Sequence, residues 1–477
     1  MGSILSLAGS DDRSVDHYQF LRNSSHKRQK TSSNLCDENP RLIPCLPDEL
    51  SIQILARLPR VYYFNLKLVS QKWKATIMSR ELFQLRKELG LTEEWLYVMT
   101  KVEEDKLIWH GLDPLSRKWQ RLPTVPTVVD VEESKKASTG LWLWNKVGAS
   151  NRVTEGLRNW LGRKKASSQM PLGGCAVGAV DGRLYVLGGF SRGSTMKCVW
   201  QFDPILNRWS EMASMSTGRA YCKTGILNNK LYVVGGVSRD HGGLAPLQSA
   251  EAFDPTTGIW SEVPSMPFSS TQVPLGAFWS DMLKPIATGM IPYNGRLCVP
   301  QSLYLWPFFV DSGGEIYDPE TNLWAEMPTG MGQGWPARQA GTKLSVVVDG
   351  ELYAIDLSSS LDSGMIKVYD QIEDAWKVVI SKVPIHDLSE SECPYLLAGF
   401  HGKLNVITKD VNHSIVVMQA DLRDNLPSSP LSSISLSANS LDENSASQVE
   451  SETVDWKVIA SRDFGSAELV SCLVIDI

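Results

Sequence analysis

Asp181-Gly182-Arg183-Leu184-Tyr185-Val186-Leu187-Gly188-Gly189 is followed by Phe202-Asp203-Pro204 and, six residues after that Asp, by Trp209. Each piece has a backbone reading. Asp-Gly accepts the positive φ of a tight hairpin turn, so it joins a first strand to a second. Leu184 to Leu187 is the apolar run of a buried strand. Gly-Gly ends that strand where the chain must turn sharply. Strand three ends at Phe-Asp-Pro, where the Asp side chain can bond the backbone and Pro presets φ for the turn. Trp209 then opens strand four, with a ring large enough to fill the wedge against a neighbouring sheet. The stretch spells a four-stranded antiparallel sheet of about 50 residues.

The spelling recurs along the chain. Asp113-Pro114, Asp254-Pro255 and Asp318-Pro319 lead to Trp119, Trp260 and Trp324 at the same spacing, and Asp370 leads to Trp376 with Gln371 in place of proline. Turn signals open the later units at Asn228-Asn229, Asn294-Gly295, Asp349-Gly350 and His401-Gly402. Gly235-Gly236 repeats the glycine pair, later units lack it, and Trp456 marks a sixth outer strand without Asp-Pro. Period and composition match a propeller blade. The pattern resembles kelch repeats and covers roughly residues 92–477. The expected fold class is mainly β: a six-bladed kelch-type β-propeller. Trp95-Leu96-Tyr97-Val98-Met99 reads as strand two of a first unit that lacks strand one, and residues 468–475 read as a strand without a unit. The C-terminal strand is therefore expected to pair beside 95–99 and close the ring, which removes exposed sheet edges.

Upstream, the run from Ile43 to Phe83 has a different character. It holds Leu46-Pro47-Asp48-Glu49-Leu50, Ile54-Leu55-Ala56-Arg57-Leu58-Pro59 and Val69-Ser70-Gln71-Lys72-Trp73. Pro47 suits a first helical position, and Asp48 and Glu49 favour the positive end of the helix dipole. Leu50, Ile54 and Leu58 recur at a spacing of four and share one helix face. Three short helices in about 45 residues bury their apolar faces poorly and call for a partner. The stretch resembles an F-box, with Gln71 standing where a basic residue is common. The propeller is thus expected to be preceded by a small three-helix F-box at 43–90. That resemblance implies docking on the Skp-type adaptor of a Skp–cullin–F-box ubiquitin ligase. By resemblance the docking residues are Leu46, Pro47, Leu50, Ile54, Leu58, Pro59, Val69 and Trp73.

In an antiparallel blade, the connections from strand two to three and from blade to blade emerge on one face, and here that face carries the variation in length. A long connection at 124–168 joins blades one and two and contains Trp142, Trp144 and Trp160 among basic residues. Two readings stay open: a helix tucked over a blade edge, or an aromatic-basic surface for an acidic partner. Arg192, Arg239 and His241 lie in further loops of this face and are candidates for binding a client. Leu303 to Phe309 reads either as an aromatic loop cluster or as strand three of blade four. Residues 421–453, rich in Ser, Asn and acid, are expected to form a disordered loop between strands three and four of the last blade.

Composition narrows the function. A net charge of −6 over 477 residues argues against nucleic acid as a partner. Eight scattered cysteines without a C-x-x-C pair suit reduced thiols in an intracellular protein rather than a zinc site or disulfide framework. The sequence shows no run of apolar residues long enough to span a membrane and no signal peptide, so no stable membrane insertion is expected. Residues 1–42 are polar and expected to be disordered. Gly2 fits a loose myristoylation pattern, which would give weak membrane association, and Lys27-Arg28-Gln29-Lys30 reads either as a nuclear address or as a solvated charge cluster. The chain contains no H-E-x-x-H or phosphate-loop motif, and no catalytic residue, metal or cofactor is assigned. The order of the two parts resembles plant F-box/kelch-repeat proteins. It implies a non-catalytic substrate receptor of a ubiquitin ligase in cytoplasm or nucleus, the F-box holding the adaptor and, through it, a cullin, and the propeller holding a client protein. The alternatives are a kelch scaffold acting without a ligase, and a propeller enzyme.

Overall fold

The computed structural model describes residues 41–102, 106–126, 173–191, 193–240, 243–267, 285–305, 308–336, 343–357, 364–384, 395–420 and 455–477. The expectations for Gly2, for the rest of the N-terminal segment up to residue 40, and for 421–453 lie outside the described residues, as does nearly all of the 124–168 connection.

Among the described residues from 94 onward, six antiparallel sheets of four or five strands form the blades of the ring, beside two small two-stranded sheets. Blade two is Ala176–Val180, Arg183–Leu187, Val199–Asp203 and Arg208–Glu211, and blade three is Lys223–Leu227, Lys230–Val234, Ala250–Asp254 and Ile259–Val263. Blade four splits its first strand into Ile286–Ala287 and Ile291–Tyr293, then continues through Arg296–Leu305, Phe308–Asp318 and Leu323–Glu326. Leu303 to Phe309 thus spans the two arms of a hairpin, Tyr304 pairing with Phe309. Blades five and six begin at Ser345–Val348 and Leu396–Phe400 and end at Ala375–Val383 and Trp456–Arg462.

Blade one closes the ring as the sequence implied. Glu94–Val102, Lys106–Leu112 and Trp119–Arg121 supply three strands, and Glu468–Asp476 supplies the fourth, pairing with Glu94–Val102 from Glu94↔Asp476 to Lys101↔Glu468. The first strands of neighbouring blades touch all the way round, 468–476 among them.

Local chemistry explains why each unit repeats. The turn residues Asp181, Asn228, Asn294, Asp349 and His401 all take positive φ, between 48° and 55°. Asp113, Asp203, Asp254, Asp318 and Asp370 each accept backbone amides two and three residues on. The outer tryptophans do more than fill space. Trp209, Trp260, Trp324 and Trp376 pack at a tilt against the strand-three aromatics Phe202, Phe253, Tyr317 and Tyr369, with centroids 5.1 to 5.5 Å apart. Their Nε1–H groups donate to Pro123, Ala213, Pro264 and Met331 carbonyls on the chain leaving the preceding blade. Each apolar core lies between two blades. Tyr185, Leu187, Leu231 and Phe253, for example, seal blade two to blade three.

The segment ahead of the ring is helical: α1 (Asp48–Ala56), a 3-10 turn (Arg60–Tyr62), α2 (Tyr63–Leu66), α3 (Gln71–Ile77) and α4 (Arg80–Glu88). It has four α-helices and a 3-10 turn where three helices were expected. Pro59 ends the first apolar run and starts the short 60–66 segment, while Ser70 and Ser79 restart the chain as N-caps, their hydroxyls accepting from the Trp73 and Leu82 amides. Leu42, Leu55, Ala56, Tyr63, Ile77 and Leu82 form its own small core.

Candidate docking faces

Helix α1 divides its apolar residues between two sides. Ser51 and Leu55 face inward and are fully buried. Leu50 and Ile54, one turn apart, are left 48% and 45% exposed. Val69, Phe64 and Leu68 are exposed by 59%, 77% and 76%. Leu50 and Ile54 share one face of α1 that the domain's own core leaves uncovered, whereas Phe64 lines the cavity beside the propeller. Pro47 is exposed, and Leu46, Leu58 and Pro59 are half-buried. Leu58 and Trp73 pack against the helical core, and Trp73 Nε1–H donates to the Leu42 carbonyl at 2.7 Å. Of the eight expected docking residues, then, Pro47, Leu50, Ile54 and Val69 are exposed, and Trp73 also braces the domain. Phe64 and Leu68, four residues apart, are exposed as well and are not among the residues that the resemblance implies.

The start of α1 is fixed electrostatically. Asp48 accepts the Leu42 amide at 2.7 Å and the Lys72 ammonium at 2.8 Å, and these hold its carboxyl below the usual range, the amide foremost.

The helical domain is anchored by groups with no spacing signature in the sequence. Arg86, buried, donates to the Ala56, Leu58 and Leu91 carbonyls and to Glu93 at 3.0 Å. The same Glu93 Oε1 accepts the Arg60 amide at 2.8 Å, and the Glu93 backbone pairs with Ile477 in both directions. Arg80 and Lys87 reach Asp181 at 3.1 and 3.5 Å, and Phe83 packs against Gly182. Arg60 and Lys67 donate to the carbonyls of Pro204 and Ile205. All of these propeller groups lie in the strand one–two and three–four turns of blade two or at the end of the closing strand. The domain therefore sits on the face opposite the strand two–three connections.

On that opposite face, the connections of blades two and three each carry a small hairpin, Phe190–Ser191 with Ser194–Thr195 and Val237–Asp240 with Gly243–Pro246. The hairpins are tied together. Thr195 and Ser238 hydroxyls lie 3.4 Å apart, and Arg239 Nη1–H donates to the Gly193 carbonyl. Arg239 thus sits where it was expected, on this face, with part of its guanidinium committed to the neighbouring hairpin. Trp142, Trp144, Trp160, Arg192 and His241 lie outside the described residues.

Among the described residues no group of three or more His, Cys, Asp or Glu side chains is placed to hold a metal ion. Burial pushes the thiols of Cys198 and Cys222 up to about 11. No described helix is long and apolar enough to cross a membrane.

Comparison with known proteins agrees with both halves of this geometry. The model of the F-box domain matches residues 43–85, and that of the kelch motif matches 171–216 and 218–267. An F-box/kelch-repeat protein of Arabidopsis thaliana is 63% identical over 480 residues, covering 100% of both chains. A second Arabidopsis F-box/kelch-repeat protein is 26% identical over 66% of this chain and 64% of its own length. The Arabidopsis F-box protein AFR is 25% identical over 69% of this chain and 74% of its own.

Proposed function

Because the chain belongs to the F-box/kelch-repeat family, we propose that it is the substrate-recognition subunit of a cullin-type E3 ubiquitin ligase. The apolar surface around Leu46, Pro47, Leu50, Ile54, Leu58, Pro59, Val69 and Trp73 takes a Skp-type adaptor and, through it, a cullin. The loop-bearing face of the propeller takes a client protein. The observation that carries this reading is the outward pair Leu50 and Ile54, left half-exposed on a helix whose other side is fully packed. Covering the exposed half of two such side chains stabilises a complex by about 0.7–1.5 kcal/mol each. Placing the adaptor surface and the client surface on opposite faces leaves both accessible at once.

In this reading the chain carries no bond chemistry of its own. It raises the effective concentration of client near the conjugating enzyme. It works inside the cell, in cytoplasm or nucleus, where its cysteines stay reduced.

Co-purification tests the reading. The full chain is expected to bring down a Skp-type adaptor, and the double variant Leu50→Asp/Ile54→Asp to lose it, because a carboxylate cannot be buried there unpaired. Both residues are half-exposed, so the variant keeps the wild-type melting profile. A folded wild-type chain that fails to bind any Skp-type adaptor overturns the assignment.

A further inference from the structure

Where the helical domain meets the propeller, the two leave a cavity of about 230 Å³. Trp95, Tyr97 and Phe202 provide an aromatic wall, and Arg60, Lys67 and Arg121 line it as well. The charges there are unbalanced. Arg60 donates to the Pro204 carbonyl, and its guanidinium lies 5.6 Å from the Trp95 ring centre. Lys67 donates to the Ile205 carbonyl at 3.3 Å. Both acceptors are neutral, and an arginine or lysine head keeps further donors after one such bond. Glu93 is taken by Arg86 and the Arg60 amide, and Asp203, near Lys67, by Arg183 and its own turn. Among the described residues no carboxylate forms an ion pair with Arg60, Lys67 or Arg121.

Two further observations point the same way. Burial pulls the Arg60 and Lys67 acidities toward the neutral form, and for Lys67 the nearby Arg60 charge adds to it. Trp95, 4% exposed, has an Nε1–H with no acceptor among the described residues. Desolvated like charges and an orphaned buried donor are each relieved by the same thing, an acceptor carrying negative charge.

We propose that this cavity binds a small organic anion, a carboxylate or phosphate monoester on a planar apolar body, its head among the three cations Arg60, Lys67 and Arg121 and its body against Trp95 and Phe202. The volume falls below the ~300–1,000 Å³ of pockets that take drug-sized ligands, which favours a metabolite over a peptide. A ligand there touches the helical domain and blades one and two together. It therefore stiffens the joint between the helical domain and the propeller. The proposal stands on the cavity alone and is independent of the ligase reading.

The test is calorimetry and thermal melting of the full-length chain with phenyl phosphate, benzoate, inorganic phosphate and benzylamine. Phenyl phosphate or benzoate is expected to bind at one per chain and to raise the melting temperature with concentration. The tighter of the two identifies the head group. Inorganic phosphate should bind at least about tenfold more weakly, and benzylamine not at all. Lys67→Met and Arg121→Gln should each weaken the favoured anion about tenfold. Arg121 is exposed on the propeller side, so its variant keeps the ligand-free melting temperature even if Lys67→Met loosens the joint. The proposal is overturned if neither aromatic anion binds at about 10 mM. It is equally overturned if benzylamine or inorganic phosphate binds as well as they do, or if both variants bind like the wild type.

Discussion

Glu251 and Glu315 occupy the same place in consecutive blades, three residues before the Asp-Pro turn, and each pairs across the sheet with another glutamate, Glu262 and Glu326. Their surroundings separate them. Arg219, fully buried, gives Glu251 two donors at 3.0 and 2.8 Å, and the Ser216 amide gives a third at 2.7 Å. Burial by itself would raise the Glu251 carboxyl, but these donors outweigh it and hold it low. Its contribution to stability is present above the ordinary carboxylate range and lost as pH falls through its folded value. Glu315 has no such cation among the described residues. Burial, aided by Glu326, pushes it up to about 7. The sign reverses: the stability belonging to its neutral form is complete in acid and lost as pH rises through about 7. Glu315→Gln, which cannot ionise, should therefore melt higher than the wild type at pH 8 and together with it only in acid below the ordinary carboxylate range. Equal differences at pH 8 and in such acid in thermal melts would reject this account.

At the level of the elements, the indole bonds make each blade depend on the one before. Trp260→Phe keeps a ring against Phe253 but removes the bond to Ala213, and should cost about 0.5–1.5 kcal/mol in urea unfolding. An unchanged midpoint would show the ring alone to be enough. These tryptophans were legible because their cause is local. A turn of positive φ favours Asn, Asp or Gly, an Asx turn needs its Asp, and the two recur together at set spacing in blades two to five. The split of α1 into an inward and an outward side was half legible: Leu50 and Ile54 follow from periodicity, but Leu58 lies beyond the helix end and turns to the core. The joint to the propeller was not legible. Arg86 with Glu93 and Arg80 with Asp181 are pairs of ordinary surface-type residues, the second separated by 101 positions, and no period marks them. Trp119 and Trp456 carry the blade signature but have no indole acceptor among the described residues. At that seam Arg462 instead donates to the Trp119 carbonyl at 3.0 Å, and Phe464 packs edge-on against the Trp119 ring.

For the molecule as a whole, the closing strand decides cooperativity, Leu469 packing toward blade six and Ile475 and Ile477 toward blade two. Leu469, Ile475 and Ile477 are at most 4% exposed, and burying three such side chains contributes roughly 5–9 kcal/mol. That is comparable with the entire net stability of a typical domain, about 5–15 kcal/mol. Removing residues 468–477 should abolish a single sharp unfolding transition in calorimetry. A truncated chain that still melts cooperatively near the wild-type temperature would show that the other blade interfaces suffice. The pairing also imposes a schedule on biosynthesis. Glu94 must wait for its partner Asp476, and a ribosome adding ~5–20 residues per second takes roughly 20–75 s to deliver it. Throughout that interval the nascent first blade offers an unpaired flank to whatever is nearby, so chaperone occupancy on translating polysomes should peak before the final strand emerges and fall once it docks.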